Sequence, residues 1–159
     1  MSMIATSSSL PTTTRVRPRR ITAAFWLWML ALAAGVFEAA ISVTQALSAG
    51  EQFGSLLAPI GIRLLAFVVL AVLALALRAG RGWSRYVLLV LFTGLGTWSL
   101  VADPLTYLLD GGTVSEALAA ATGWDAAFLV SRVVHILAVW TASVLMFTAP
   151  SYFRRNAVA

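Results

Sequence analysis

Cysteine and lysine are both missing from these 159 residues, and histidine occurs once, at position 135. The first absence excludes disulfides, thiolate metal sites, iron–sulfur clusters and cysteine nucleophiles together. The second excludes Schiff-base chemistry and a tunable amine. A single histidine supplies no pair of axial imidazoles for haem and no His-Glu-x-x-His zinc motif, so no cofactor or metal is expected. Charge is scarce too. Only 11% of residues are charged and 60% are hydrophobic, against about 25% and about 45–50% in a soluble domain. The length suits one helical bundle and no second domain.

What the chain does have is four long apolar runs, at about 21–47, 56–77, 83–102 and 125–149. A hydrocarbon core about 30 Å thick needs about 20 apolar residues of helix, and each run supplies them. The runs lack the period-two alternation of barrel strands, and a helix satisfies its own backbone in lipid. The fold class expected is therefore an all-α four-helix transmembrane bundle over residues 21–155. Residues 1–20, rich in Ser, Thr, Pro and Arg, read as a disordered cytoplasmic arm. The third run is the weakest, holding Thr93, Gly94, Gly96 and Thr97 and ending before Asp103-Pro104.

The eleven basic residues are all arginine, and their placement orients the runs. Arg15, Arg17, Arg19 and Arg20 precede the first run. Arg78, Arg81 and Arg85 join the second to the third, and Arg154 and Arg155 follow the fourth. The opposite side carries Glu51, Asp103, Asp110, Glu116 and Asp125 without an arginine. Positively charged loops stay in the cytoplasm, so both termini are expected there, with the chain in the bacterial inner membrane. Arginines that bracket apolar runs, instead of forming one patch, speak against nucleic acid as a partner.

Between the third and fourth runs, Thr113-Val114-Ser115-Glu116 matches a capping box, predicting a short helix over 114–122 on the outer face, with Gly123 as its left-handed stop. Trp26, Trp28, Trp83, Trp124, Tyr86, Tyr107 and Tyr152 fall near run ends, as an interfacial aromatic belt would. Trp98 and Trp140 lie deeper, in packing or lipid contact.

Four ionisable residues fall inside the runs: Glu38, Arg63, Arg132 and His135. At a rise of about 1.5 Å per residue, both arginines lie roughly 10 Å below the outer boundary and Glu38 roughly 13 Å. An uncompensated arginine at such a position costs about 2.5–3.5 kcal/mol, so pairing with Glu38 is expected, with Asp103 as a second partner. Arg132 and His135 share a helix face, as do Glu38, Ser42 and Gln45. Ala31, Gly35 and Ala39 form a small-residue stripe that admits a neighbouring helix, and Gly94 and Gly96 are further packing candidates. The cluster has three readings: a structural network that fixes helix register, an outward-opening pocket for an anion or lipid headgroup, and a proton relay through Glu38 and His135.

Signatures of an enzyme are missing: no paired intramembrane aspartates, no Gly-rich phosphate loop after a strand. The segments Gly80-Arg81-Gly82-Trp83-Ser84-Arg85-Tyr86-Val87 and Pro150-Ser151-Tyr152-Phe153-Arg154-Arg155 resemble a loosely defined, largely uncharacterised group of small four-span bacterial membrane proteins. That resemblance implies the four-span architecture and brings no catalytic residues. The function expected first is a non-enzymatic accessory or scaffold subunit that binds another membrane protein or itself, with membrane lipids as its surroundings. The alternative is a small transporter or a lipid- or anion-binding protein that uses the polar cluster.

Overall fold

The computed structural model describes residues 18–154, and these form helices joined by short turns. Helix α1 spans Arg19–Ser48, α2 Phe53–Arg78, α3 Ser84–Leu109, α4 Val114–Ala120, α5 Gly123–Phe147 and α6 Pro150–Arg154. Four of them, α1, α2, α3 and α5, are long and apolar enough to cross a membrane. Of the arm expected over 1–20, Arg19 and Arg20 open α1 instead, and Arg15 and Arg17 lie outside the described residues.

Three helix ends share one cause. Gly50, Gly80 and Gly111 take φ of 86°, 83° and 93°, the left-handed conformation that glycine adopts without steric cost. Each turn closes a Schellman motif, for example Glu51 N–H to Ala46 O at 3.0 Å and Arg81 N–H to Ala76 O at 3.0 Å. Gly123 has no such role. Ala121, in extended conformation, ends α4, and Gly123 instead begins α5.

The core occupies the arginine-rich half of the bundle. Ile21, Ala24, Trp28 and Ala31 of α1 recur at three- and four-residue spacing, forming a helical seam. Against it pack Leu70, Leu73 and Leu77 of α2, Leu88 of α3 and Ala142 and Met146 of α5. Trp28 is therefore not an interfacial residue: it is fully buried, edge-on to Phe92 with centroids 6.3 Å apart. Trp26, Trp83, Trp124, Tyr86 and Tyr107 do stay exposed, as do the deeper Trp98 and Trp140.

The two junction segments meet at this end. The Arg85 guanidinium stacks 4.7 Å from the Tyr86 ring and 5.0 Å from Phe153, and Tyr152 donates to Arg78 O at 2.7 Å. Cation–aromatic and backbone contacts thus clamp the α2–α3 turn onto α6.

Helix α3 departs from ideal geometry twice. Leu89–Gly96 is π-helical, a wide turn that usually marks a site of function or packing. The helix then continues through Pro104 to Leu109, past the expected stop before Asp103-Pro104. This last stretch, Thr97–Leu109, buries no side chain, so the bundle is closed at the arginine-rich end and open at the acidic one.

The short helix α4 is exposed along its length and has the capping box in place: Glu116 N–H donates to Thr113 Oγ1 at 3.3 Å and Thr113 N–H to Glu116 Oε2 at 3.0 Å. Hydrogen bonds from the Thr113 side chain and then its backbone hold the Glu116 carboxyl below its ordinary value of 4.5. Because the folded value is the lower one, the cap is fully present above pH 4.5 and is lost as pH falls through the lowered value. Amide exchange at Glu116 should show protection that persists through mild acid and fades only below it. Loss of protection on raising the pH through neutrality would contradict this. A second capping box, Thr122 with Asp125, starts α5.

Candidate functional site

The polar residues of α1 and α5 meet near the acidic end, but not through the expected ion pairs. Glu38 is buried, and its Oε1 accepts from Ser131 Oγ at 3.0 Å. Among the described residues no arginine nitrogen lies within 4.0 Å of a carboxylate oxygen, so Glu38 pairs with neither Arg63 nor Arg132. Both guanidinium groups act on it only through space. Depth put the three residues at one level; rotation about each helix axis set them apart. Arg63 is exposed and lies in the groove between α1 and α2, beside Ala39, Val43 and Phe67. Arg132 stands on the other side of α1, and Asp103 is exposed with no ion pair.

Arg132 has a different partner, created by a proline. In an α-helix the N–H of residue 104 would bond the carbonyl of residue 100. Pro104 has no N–H, which leaves Leu100 O without its helical donor. Arg132 Nη1 fills the place, donating to Leu100 O at 3.3 Å, while its guanidinium carbon sits 4.7 Å from the Phe128 ring centroid. This bond satisfies the released carbonyl where α3 continues past Asp103-Pro104. A coupling follows: Pro104→Ala returns a donor to Leu100, so Arg132→Gln should cost less stability in that background. The two changes are expected to deviate from additivity by about 0.5–2 kcal/mol in a double-mutant cycle of detergent unfolding. Strict additivity would dissociate the proline from the arginine.

Arg132 also lines a cavity of about 630 Å³ at the acidic end, between α1 and α5. Ser42, Gln45, Phe128 and Leu129 form its walls, with Glu51 and Asp125 also lining it. The shared face of Ser42 and Gln45 thus points into a real cavity, with Glu38 buried below it. Ser42 itself donates to Glu38 O at 2.9 Å.

His135, one turn deeper, is half-buried and lines a separate cavity of about 330 Å³ with Phe67, Phe92, Leu95, Gly96 and Ser99. Its Nδ1 is buried without a partner, and among the described residues no hydrogen bond joins it to Glu38. The relay reading lacks that contact. Gly35 faces the same region: a Cβ there would stand 3.1 Å from the Phe67 ring and 3.6 Å from His135 Cε1. The stripe of Ala31, Gly35 and Ala39 therefore accommodates helices of this same chain, with Ala31 fully buried.

Gly94 belongs to neither cavity. It lies in an apolar groove of about 900 Å³ between the π-helical segment and α5, flanked by Leu89, Trp140, Val144 and Phe147. At the groove, Thr93 Oγ1 and Ser143 Oγ share a buried hydrogen bond of 2.6 Å.

No family model, curated protein or solved structure matches this chain. Among the described residues no group of His, Asp and Glu is arranged to hold a metal. Ser131 and the Leu100 carbonyl were the participants that charge counting passed over. The signal for the second was in the sequence, because a helical proline always releases the carbonyl four residues earlier.

Proposed function

We propose that this chain is a multi-pass protein of the bacterial inner membrane, with both termini in the cytoplasm, and that it acts as a non-enzymatic accessory or scaffold subunit. It binds another membrane protein or a second copy of itself. The observation that carries this reading is the outer half of α3, Thr97–Leu109, which buries no side chain of its own bundle. A helix held to its neighbours by little more than Arg132–Leu100 and Trp140–Thr97 hydrogen bonds has its packing surface still unused. Helix association in lipid depends on van der Waals fit and small residues, and Gly94 in the adjoining apolar groove supplies both a gap and a close approach.

Photo-crosslinking in intact cells tests the reading. A photoreactive residue at Trp98 or Leu105 should yield a discrete protein adduct, and one at Leu64 or Leu65, on the exposed face of α2, should not. An adduct of twice the chain mass identifies a second copy as the partner. Equal lipid-only labelling from both helices would contradict the proposal.

A second reading is favoured by one observation, the cavity bordered by Arg132. A cationic side chain with unused donors in a cavity at the membrane boundary suits a ligand-binding protein that takes an anionic group.

A further inference from the structure

We infer that the cavity between α1 and α5 is a binding site for a zwitterionic headgroup, a phosphate linked to a primary ammonium, and that its occupant is phosphatidylethanolamine of the outer leaflet. This rests on the second reading above, that Arg132 takes an anionic group.

A guanidinium carries five N–H groups, and Arg132 engages one of them, with Leu100 O. Its Nε is buried away from the cavity, so the donors left for a ligand are the other N–H groups on the Nη nitrogens. Gln45 makes no side-chain hydrogen bond and offers both a donor and an acceptor to the same space. Planar, forked donors of this type are matched to phosphate oxygens.

Charge then narrows the class. Two carboxylates, Glu51 and Asp125, line the cavity with Arg132. Both stand toward the acidic side of Arg132, Asp125 about two helical turns above it on α5 and Glu51 higher still, just past the end of α1. Asp125 uses Oδ2 to cap Thr122, with bonds of 2.8 and 2.6 Å, and keeps Oδ1 free. Glu51 makes no side-chain bond among the described residues. A ligand that is only anionic would meet two negative groups on entering. One that carries an ammonium beyond its phosphate meets a cation below and anions above, each opposite in sign to what it presents.

Orientation selects the lipid as the source. In the outer leaflet a phosphatidylethanolamine holds its phosphate on the membrane side and its ammonium on the water side. Arg132 and the carboxylates are stacked in that order in the proposed topology. Leu129, also lining the cavity, is exposed on the helix surface, so acyl chains have an apolar path beside the headgroup.

Native mass spectrometry of the full chain, exchanged into mixed micelles, tests this. The wild type should retain phosphatidylethanolamine about tenfold more strongly than phosphatidylglycerol. Glu51→Gln with Asp125→Asn, which preserves the cap, should erase that preference. Arg132→Gln should lower retention of both lipids, with Arg132→Lys restoring part of it. Preference for phosphatidylglycerol that still depends on Arg132 would overturn the zwitterion assignment and leave the anion reading standing. Retention of neither lipid above an uncharged diacylglycerol control would overturn both. Soluble phosphoethanolamine displacing the lipid at equal concentration would overturn the lipid as occupant. The lipid comparison on the wild type decides the question even where a variant fails to fold.

Discussion

Trp28→Ala is expected to cost about 3–5 kcal/mol of folding stability, the largest effect of any single change in the core. Trp28 is fully buried where the α1 seam meets the π-helical segment of α3, on the edge of Phe92. Its removal leaves a cavity that the surrounding side chains cannot fill, because Ala24 and Ala31 flank it on α1 and both are already fully buried. Its indole N–H is buried without an acceptor, so the ring's volume and not its polarity is what the fold uses. Trp28→Phe, which keeps an aromatic ring and gives up only part of that volume, should cost clearly less than Trp28→Ala. Unfolding in mixed micelles on titration with dodecyl sulfate separates the two variants. A Phe variant as unstable as the Ala variant would point to a hydrogen bond at Nε1 that this account denies.

Gly35→Leu should be the second severe change, destabilising by about 1–3 kcal/mol or more through overpacking. At Gly35 even a methyl group would come within 3.1 Å of Phe67, and a larger side chain has to push α2 away from α1. The alanine variant reads the same contact at lower amplitude. Alanine gains up to about 1 kcal/mol in helix propensity over glycine, which offsets a displacement of a few tenths of an ångström in the Phe67 ring. Gly35→Ala is expected near neutral. Phe67→Ala should rescue Gly35→Leu in part, since it vacates the space that the leucine needs. No rescue would mean that the strain falls on His135 of α5 instead.

The span count was legible from the apolar runs, which depend on local sequence alone; the glycine stops at 50, 80 and 111 were not read there, and the one predicted, Gly123, is not a stop. Gly50 and Gly80 end α1 and α2 within two residues of the expected limits. The capping box of Thr113 and Glu116 was legible for the same reason, being a contact between residues three apart. What failed depended on rotation about a helix axis. Depth placed Trp28 near an interface, but the spacing of Ile21, Ala24 and Ala31 turned it into the core. Depth likewise put Glu38, Arg63 and Arg132 at one level, yet α1 stands between the arginines, and Ser131 takes the carboxylate. The end of α3 was misjudged because a proline reads as a stop when its chain alone is considered. Here another helix supplies the donor for the carbonyl that the proline released.

The proposed depths of the buried charges and the side on which the cavities open depend on four crossings, with the glycine-arginine turn after α2 on the cytoplasmic side. The absence of native cysteine makes this directly measurable. Single cysteines introduced as Glu51→Cys, Arg81→Cys and Asp110→Cys are labelled in intact spheroplasts with a membrane-impermeant maleimide. The account predicts labelling of positions 51 and 110 from outside, and of position 81 only after permeabilisation. Outside labelling at 81, or positions 51 and 110 on different sides, would contradict it.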